Sequence, residues 1–282
     1  MSIEKFKPVI WITQFQDGLE RKSVFYEDCN HEYEGSATKP GDTIWIPGLG
    51  DVNTRRFSDG KLHDLGTPEA IESLGQALPI TEISDFYFYV DDLDKRQAQG
   101  GDGLLAKYMD KARKKVTQDE DKYIASLVLD ENVKVLDKTG TAVSKTNVMD
   151  YLDEALELLA MNDVPLDEEI VITVPPKFRT ILKQAFITFD TDNSGILKNG
   201  RIGEYSNATL KMSNNVATTV SGQNTYYNIQ VKTKNAISFV HPYFHMKAEE
   251  PSGKWMDAVK GYALFAGKVT APKEIINLKV KF

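Results

Sequence analysis

The sequence lacks several features that would point to a secreted or membrane protein. It has one cysteine, Cys29, so an internal disulfide is excluded and a reducing, cytoplasmic origin is favoured. No apolar run reaches the roughly 18 residues that a membrane span requires. The opening residues, Met1 to Pro8, lack the hydrophobic core of a signal peptide. These absences indicate a globular chain that folds in the cytoplasm.

An excess of basic charge is also missing. The chain has 34 lysine and arginine residues against 41 aspartate and glutamate residues, which gives a net charge of −7. Proteins that bind nucleic acid over much of their surface usually carry a basic stripe or patch. The composition therefore argues weakly against a nucleic-acid-binding protein.

The first 82 residues lack a hydrophobic core of their own: residues 41–82 have few large apolar side chains, and nothing local covers the apolar side chains of residues 1–35. Residues 1–35 have the pattern of an arm, in which Phe6 and Trp11 precede a charged piece that is predicted to be helical near Asp17–Phe25. Residues 41–82 have the pattern of an extended hairpin, with a strand at Thr43–Ile46 and a turn at Asp59-Gly60. Neither segment can bury much surface alone, so both are expected to contact another chain.

A short aromatic strand and a long amphipathic helix follow. Alternation predicts a strand over Ile83–Val90, and apolar residues at helical spacing predict a helix over about 104–128. Glu120 falls on the apolar stripe of that helix and is its one fault. The basic residues fall mostly off the stripe; they are Lys111, Arg113, Lys114, Lys115 and Lys122.

The rest of the chain mixes helices with strands. A strand is expected at Val133–Leu136, and a helix capped by Thr146 or Asn147 is expected to run to about Met161. The β-branched run Ile170–Val174 predicts a buried strand, and Pro175-Pro176 predicts the start of another helix. Strands and turns are predicted from Gly203 onward. This arrangement is typical of an α+β fold.

A calcium site is the first chemical candidate. Asp190–Gly195 imitates the start of an EF-hand loop, but position twelve is Arg201, where calcium needs a bidentate glutamate. A polar turn is the favoured interpretation.

The remaining candidates also have simpler explanations. His241 and His245 have zinc-like spacing only on a helix, and Pro242 with its flanking residues predicts a strand. Acidic neighbours would raise the pKa of Cys29, which argues against a nucleophile. The glycine clusters at 48–50 and 100–103 lack phosphate-binding spacing, and Asp91-Asp92 is explained by a helix N-terminus. No catalytic, metal or cofactor site is therefore predicted.

Several further blocks of sequence follow one another along the chain. The first is Val90-Asp91-Asp92-Leu93-Asp94-Lys95 between the aromatic strand and the long helix. The others are the glycine turn at 199–204 with Ser213-Asn214-Asn215, the segments at 251–269 and 272–280, and Phe6-Lys7-Pro8 with Gly41-Asp42-Thr43. Together they span nearly the whole chain, and in this order they resemble tailed-phage major capsid proteins of the HK97 fold, in the branch similar to the P22 coat protein.

The resemblance implies an N-terminal arm (1–35), an extended loop (36–82) and a peripheral domain (83–145) with a spine helix at about 104–128. It further implies an axial domain (146–240) and closing strands (241–282). Such chains form hexamers and pentamers that close into an icosahedral shell around double-stranded DNA, which they contact non-specifically; an acidic inner face would limit sticking of packed phosphates. The implied location is the virion capsid, assembled in the host cytoplasm.

The partners follow from the same resemblance, whereas the contact residues follow from the pattern of the arm and the hairpin. Scaffolding protein, portal and possibly decoration protein would be separate chains, with scaffolding separate here or a leader removed, because the arm begins at residue 1. The expected inter-subunit contacts come from the arm and the charged hairpin tip; they are Phe6, Trp11, Arg55, Arg56, Asp59, Lys61, His63 and Asp64. Two alternatives stay open, namely an encapsulin-like shell for protein cargo and an α+β enzyme with an unrecognised site.

Overall fold

The computed structural model describes residues 23–34, 42–46, 56, 58, 75–91, 104–164, 168–188, 203–206, 208–249, 253 and 255–282. Their α-helices are α1 (Leu104–Ser126), α2 (Val148–Met161) and α3 (Pro176–Thr188). The first six strands are β1 (Thr43–Ile46), β2 (Gln76–Pro79), β3 (Glu82–Asp91), β4 (Lys134–Lys138), β5 (Ile170–Val174) and β6 (Gly203–Tyr205). The other six are β7 (Ala208–Met212), β8 (Ala217–Ser221), β9 (Asn224–Thr233), β10 (Ile237–Glu249), β11 (Met256–Val269) and β12 (Ile275–Val280).

Helix α1 packs on a three-stranded antiparallel sheet with strand order β10-β11-β3. The even-numbered residues of β3, Phe86 and Phe88 among them, pack with Met109, Ala112 and Val116 of α1. The end of α1 and the 3-10 turn that follows it belong to another core, where Ile124 and Val128 contact side chains that include Phe239 and Phe265. The predicted strand at Ile83–Val90 and the predicted long helix are both confirmed.

A glycine of β11 makes the aromatic side of this sheet possible. A Cβ atom on Gly261 would lie 2.7 Å from Cζ of Phe86 and 2.9 Å from the backbone oxygen of His245. We expect Gly261→Ala to cost about 1–3 kcal/mol of unfolding free energy, because the stacked rings must move. Gly140→Ala is the matched control, since nothing lies within 4 Å of its added Cβ. Denaturant midpoints of both variants measure the difference; equal midpoints would contradict this packing.

Strands β1 and β2 form a two-stranded antiparallel sheet against the other side of the three-stranded sheet. Thr43 pairs with Pro79 and Ile46 pairs with Gln76. The inward residues of this pair contact Val240, Leu264 and Ala266. The strand predicted at Thr43–Ile46 is therefore confirmed, while the predicted Asp59-Gly60 turn lies outside the described residues.

A seven-stranded mixed sheet holds most of the second half of the chain. Its order is β4-β12-β9-β5-β7-β6, with β8 paired to the first half of β9. The hydrophobic core between this sheet and helices α2 and α3 includes the fully buried residues Leu152, Leu159, Phe178, Leu182 and Ile172. The buried strand predicted at Ile170–Val174 and the helix predicted after Pro175 are both confirmed. None of the described helices is long and apolar enough to span a membrane. The α+β prediction agrees with this mixture of sheets and helices.

The helix predicted to run from Thr146 or Asn147 to about Met161 is confirmed, but its predicted side-chain cap is wrong. The end of the helix predicted near Asp17–Phe25 is also wrong, while residues 17–22 lie outside the described residues. Asn147 stands at the N-cap of α2 but makes no side-chain capping bond. Its Oδ1 instead accepts a hydrogen bond of 2.8 Å from the Ser144 backbone N–H, so the oxygen is engaged outside the helix. The helix predicted near Asp17–Phe25 does not include its described end, because Ser23, Val24 and Phe25 are non-helical and a 3-10 turn begins at Tyr26. Asp121 binds the backbone N–H groups of Val24 and Phe25 instead.

Candidate subunit-contact surfaces

The structure does not test the predicted contact residues. Arg56 is exposed, as a contact residue would be in an isolated subunit. Phe6, Trp11, Arg55, Asp59, Lys61, His63 and Asp64 lie outside the described residues. Those assignments stay predictions.

The outward face of β3 is an unpredicted candidate for subunit contact. Ile83, Tyr87 and Tyr89 are each 62% exposed, although β3 alternates and its other face is packed against α1. The strand also forms one edge of its sheet. Large aromatic side chains are usually covered, and tyrosine is enriched in protein interfaces because it combines apolar area with a polar end. The sequence signal is the alternation itself, in which Phe occupies one side of the strand and Tyr the other.

Neighbouring strands extend this face with polar and charged groups. Lys260 pairs in register with Tyr87, and its Nζ lies 2.6 Å from Oε2 of Glu249. His245 packs near the Tyr262 ring, with 5.8 Å between ring centroids. Trp255 precedes β11 and is 85% exposed. The outward face of the three-stranded sheet thus combines aromatic anchors with a charged surround, as protein interfaces do.

A second feature fixes residues 23–34 to the body of the protein. Asp121 of α1 accepts hydrogen bonds from Ser23 Oγ at 2.5 Å, from the Phe25 backbone N–H at 3.3 Å and from Asn215 Nδ2 at 3.4 Å. The side chains of Phe25 and Cys29 are buried in the core around Ile124. Residue 23 is therefore a fixed root from which any preceding chain must leave. Asp121 gives no sequence signal beyond its position next to the apolar stripe.

Charged groups complete this attachment. Lys211 Nζ lies 2.6 Å from Asp28 Oδ1 and 3.6 Å from Glu27 Oε2. Lys232 is fully buried and its ammonium group donates to the backbone oxygen of Asp28. A buried charge is tolerated only when it is paired. The contacts of Lys211 in β7 and Lys232 in β9 with this segment consequently fix its register as well as its position.

A buried acid and a buried histidine meet between α1 and β10. Glu120 Oε1 and His241 Nε2 are 3.5 Å apart, and neither atom has a hydrogen-bond partner among the described residues. Burial, with a smaller contribution from Asp121 and Asp119, raises the pKa of Glu120 to about 8. Burial lowers the pKa of His241 to about 4. Both groups are therefore uncharged near neutral pH, and the protonated carboxyl can donate to the ring nitrogen. In the sequence, this pair is indicated only by Glu120, the one residue that interrupts the apolar stripe of α1.

This pair predicts a pH dependence of stability. Between pH 4 and 6.5 the unfolded chain holds a His241 proton that the folded chain lacks, so stability rises with pH. Between pH 4.5 and 8 the folded chain holds a Glu120 proton that the unfolded chain has lost, so stability falls with pH. Below pH 6.5 the effects of His241 and Glu120 on stability oppose each other. Above pH 6.5 only the loss of stability caused by Glu120 remains. We expect the wild-type protein to lose on the order of 1–2 kcal/mol between pH 6.5 and 8.

Glu120→Gln is the matched variant for that measurement, because it keeps a hydrogen-bonding side chain without a titrating proton. Its stability should stay flat between pH 6.5 and 8 in denaturant titrations. A wild-type decline that the variant shares in full would assign the effect to other groups.

The chemical candidates of the sequence have structural explanations. His241 and His245 lie on β10, as predicted, rather than on a helix. Burial, more than its acidic neighbours, raises the pKa of the Cys29 thiol. Among the described residues no three His, Cys, Asp or Glu side chains are placed to hold a metal ion. Asp91 ends β3 instead of starting a helix. The calcium-like loop at 190–201, both glycine clusters and Asp92 lie outside the described residues.

Comparison with known proteins finds no matching family model and no match among curated proteins. Solved structures do match. A chain from a structure of Mycobacterium phage Che8 is 24% identical, with a TM-score of 0.73 and 91% of each chain covered. The capsid of cyanophage P-SCSP1u gives 16% identity and a TM-score of 0.70, covering 92% of this chain and 88% of that one. The capsid of Ralstonia phage GP4 gives 11% identity and a TM-score of 0.69, covering 92% and 91%. The chain therefore has the HK97-like fold of tailed-phage major capsid proteins.

Proposed function

We propose that this chain is a structural major capsid protein that assembles through hexamers and pentamers into an icosahedral shell enclosing double-stranded DNA. The observation that carries the proposal is the similarity to phage capsid structures over about nine-tenths of the chain. The exposed aromatic face of β3 supports self-association, because exposed apolar patches commonly mark interaction sites.

The division of labour along the chain is part of this proposal. Residues 1–35 act as an arm, and the attachment of Ser23 to Asp121 supports a fixed root for it. Residues 36–82 act as an extended loop whose two ends pair as β1 and β2. Residues 83–145 act as the peripheral domain, 146–240 as the axial domain, and 241–282 as the closing strands. The contact residues of the arm and the hairpin tip belong to the same proposal.

The partners follow from this role. Subunits contact one another, and separate scaffolding, portal and possibly decoration proteins serve assembly, packaging and reinforcement. The mature location is the virion capsid, and assembly takes place in the cytoplasm of a bacterial host.

A shell for protein cargo is the second candidate, and an enzyme is the third. The named similar structures come from phages, two of them described as capsids, which favours the genome shell. No observation on the described residues favours an enzyme.

The test is expression of the full chain, alone and with scaffolding protein, followed by sedimentation and negative-stain microscopy. Closed icosahedral particles are expected. Virions of the source phage, treated with nuclease, should hold protected DNA inside a shell of this chain. A monodisperse monomer near 32 kDa at high micromolar concentration under both conditions would refute the shell role. Closed particles that hold protein and no nucleic acid would favour the cargo shell.

A further inference from the structure

The outward face of α1 carries a stripe of lysines. Lys107, Lys111, Lys114, Lys115 and Lys122 are all exposed. Successive residues of an α-helix turn by about 100°, so these five side chains fall within an arc of about 100°. The stripe extends roughly 22 Å along the helix axis. A chain with a net charge of −7 has thus concentrated positive charge on one side of one helix.

The acids of the same helix are kept away from this lysine stripe. Asp110 lies at one edge and is paired with Arg113 at 2.6 Å, while Asp119 lies at the other edge and accepts a hydrogen bond from Ser84 at 3.2 Å. Glu120 is buried on the opposite side. Asp121 lies close to the Lys114 edge, but it is buried and accepts hydrogen bonds from Ser23, Phe25 and Asn215. Within the part of the chain that the structure describes, no ion pair joins any of the five lysines to an acid. Their charge is available to a partner.

We propose that the lysine stripe binds the phosphate backbone of duplex DNA, and that this face of α1 is turned toward the enclosed DNA. The inference rests on the proposed function, because a shell supplies DNA to one side of its subunits only. It names the residues that make the non-specific contact with DNA and the face of α1 that is turned toward the DNA.

The chemistry of the stripe favours DNA over an acidic protein. Lysine is depleted at protein–protein interfaces, whose centres are apolar and aromatic. Tyr108 lies at the edge of the stripe with Lys111 Nζ 5.5 Å from its ring centre, and no apolar side chain lies between the lysines. Lysine is a compact point charge on a flexible stem, which suits phosphates in any register. Duplex DNA presents about one negative charge for each 1.7 Å of its axis, so a stripe of this length meets several phosphates at once.

The test uses the full chain and a fluorescent 30-base-pair duplex, with anisotropy measured over a series of KCl concentrations. The variant K107Q/K111Q/K114Q/K115Q/K122Q removes the stripe. The control K134Q/K145Q/K183Q/K234Q/K247Q changes the net charge equally at exposed lysines elsewhere. Each phosphate contact contributes about −0.9 to the slope of log affinity against log salt, so the stripe variant should lose about 3–4.5 of slope and at least about tenfold in affinity at low salt. The control should keep both.

Several outcomes would overturn the inference. These are wild-type protein that does not bind the duplex at low salt, equal losses in the two variants, and a stripe that binds poly-glutamate as tightly as the duplex. The last result would assign the face to an acidic protein. If the fivefold variant does not fold, K107Q/K111Q and K114Q/K115Q/K122Q are measured separately, with expected slope losses of about 2 and 3. Shell formation is scored in parallel by sedimentation, so shells without stripe-dependent binding refute this inference alone, whereas an absence of shells refutes the proposed function.

Discussion

Ile124→Asp is expected to abolish the soluble folded subunit. Ile124 is fully buried in the core that joins α1 to Phe25, Phe239 and Phe265. An uncompensated buried charge costs about 3–5 kcal/mol, which is a large share of the roughly 5–15 kcal/mol that stabilises a typical protein. The measurement is the soluble fraction after expression, followed by circular dichroism of any soluble material.

Lys114→Ala is the control on the same helix. Lys114 is exposed, so its loss should change the unfolding free energy by no more than about 0.5 kcal/mol. Comparable solubility and melting of the two variants would mean that α1 does not bury its apolar stripe in the way described here.

The double variant Tyr87→Asp/Tyr89→Asp is expected to fold and to form no shells. Both side chains point away from α1, and both are exposed on the edge strand of their sheet. Loss of strand propensity costs up to about 1 kcal/mol at each position, which lowers the melting temperature by only several degrees. A charge placed in the centre of a packed interface, in contrast, removes the aromatic anchors on which binding depends. Particle yield by sedimentation and microscopy is the readout.

Tyr87→Phe/Tyr89→Phe separates aromatic packing from the general sensitivity of the strand. This control keeps the ring area and removes two hydroxyl groups, so shells should still form. Shells from the aspartate variant would show that the face stays exposed in the particle. An unfolded aspartate variant would place these tyrosines in the subunit core instead.

Periodicity predicted the elements of this fold because its cause is local. The alternation of Ile83–Val90 and the apolar stripe of α1 require only that one face is buried, whatever lies against it. The missing cap at Asn147 shows the limit of the same reasoning, because the side-chain oxygen accepts from the Ser144 backbone N–H and not from the helix. The pairing of β4 with β12 could not be predicted from either segment, since it depends on residues far apart in the chain.

The candidate surfaces were less accessible to sequence reasoning. The contact residues that composition singled out, such as Phe6 and Arg55, lie outside the described residues and stay predictions. The sequence predicts Tyr87 and Tyr89 only as part of an aromatic strand, because it does not say which face of the strand another element covers. Glu120 was visible as a fault in the stripe, but its partner His241 comes from a distant strand. The sequence shows that the lysines of α1 fall off the apolar stripe. Only the structure shows that Asp110 is paired with Arg113 and Asp119 with Ser84, and not with these lysines.

The position of β12 sets the order of events during synthesis. This strand lies between β4 and β9, parallel to the first and antiparallel to the second. At translation rates of about 5–20 residues per second, β4 leaves the ribosome on the order of ten seconds before the strand that it pairs with. Helix α1 and β3 emerge earlier still, with their partners β10 and β11 unmade. The nascent chain therefore exposes unpaired strand edges for most of its synthesis. A chaperone that binds unfolded chains should raise the yield of folded subunits more than faster translation would.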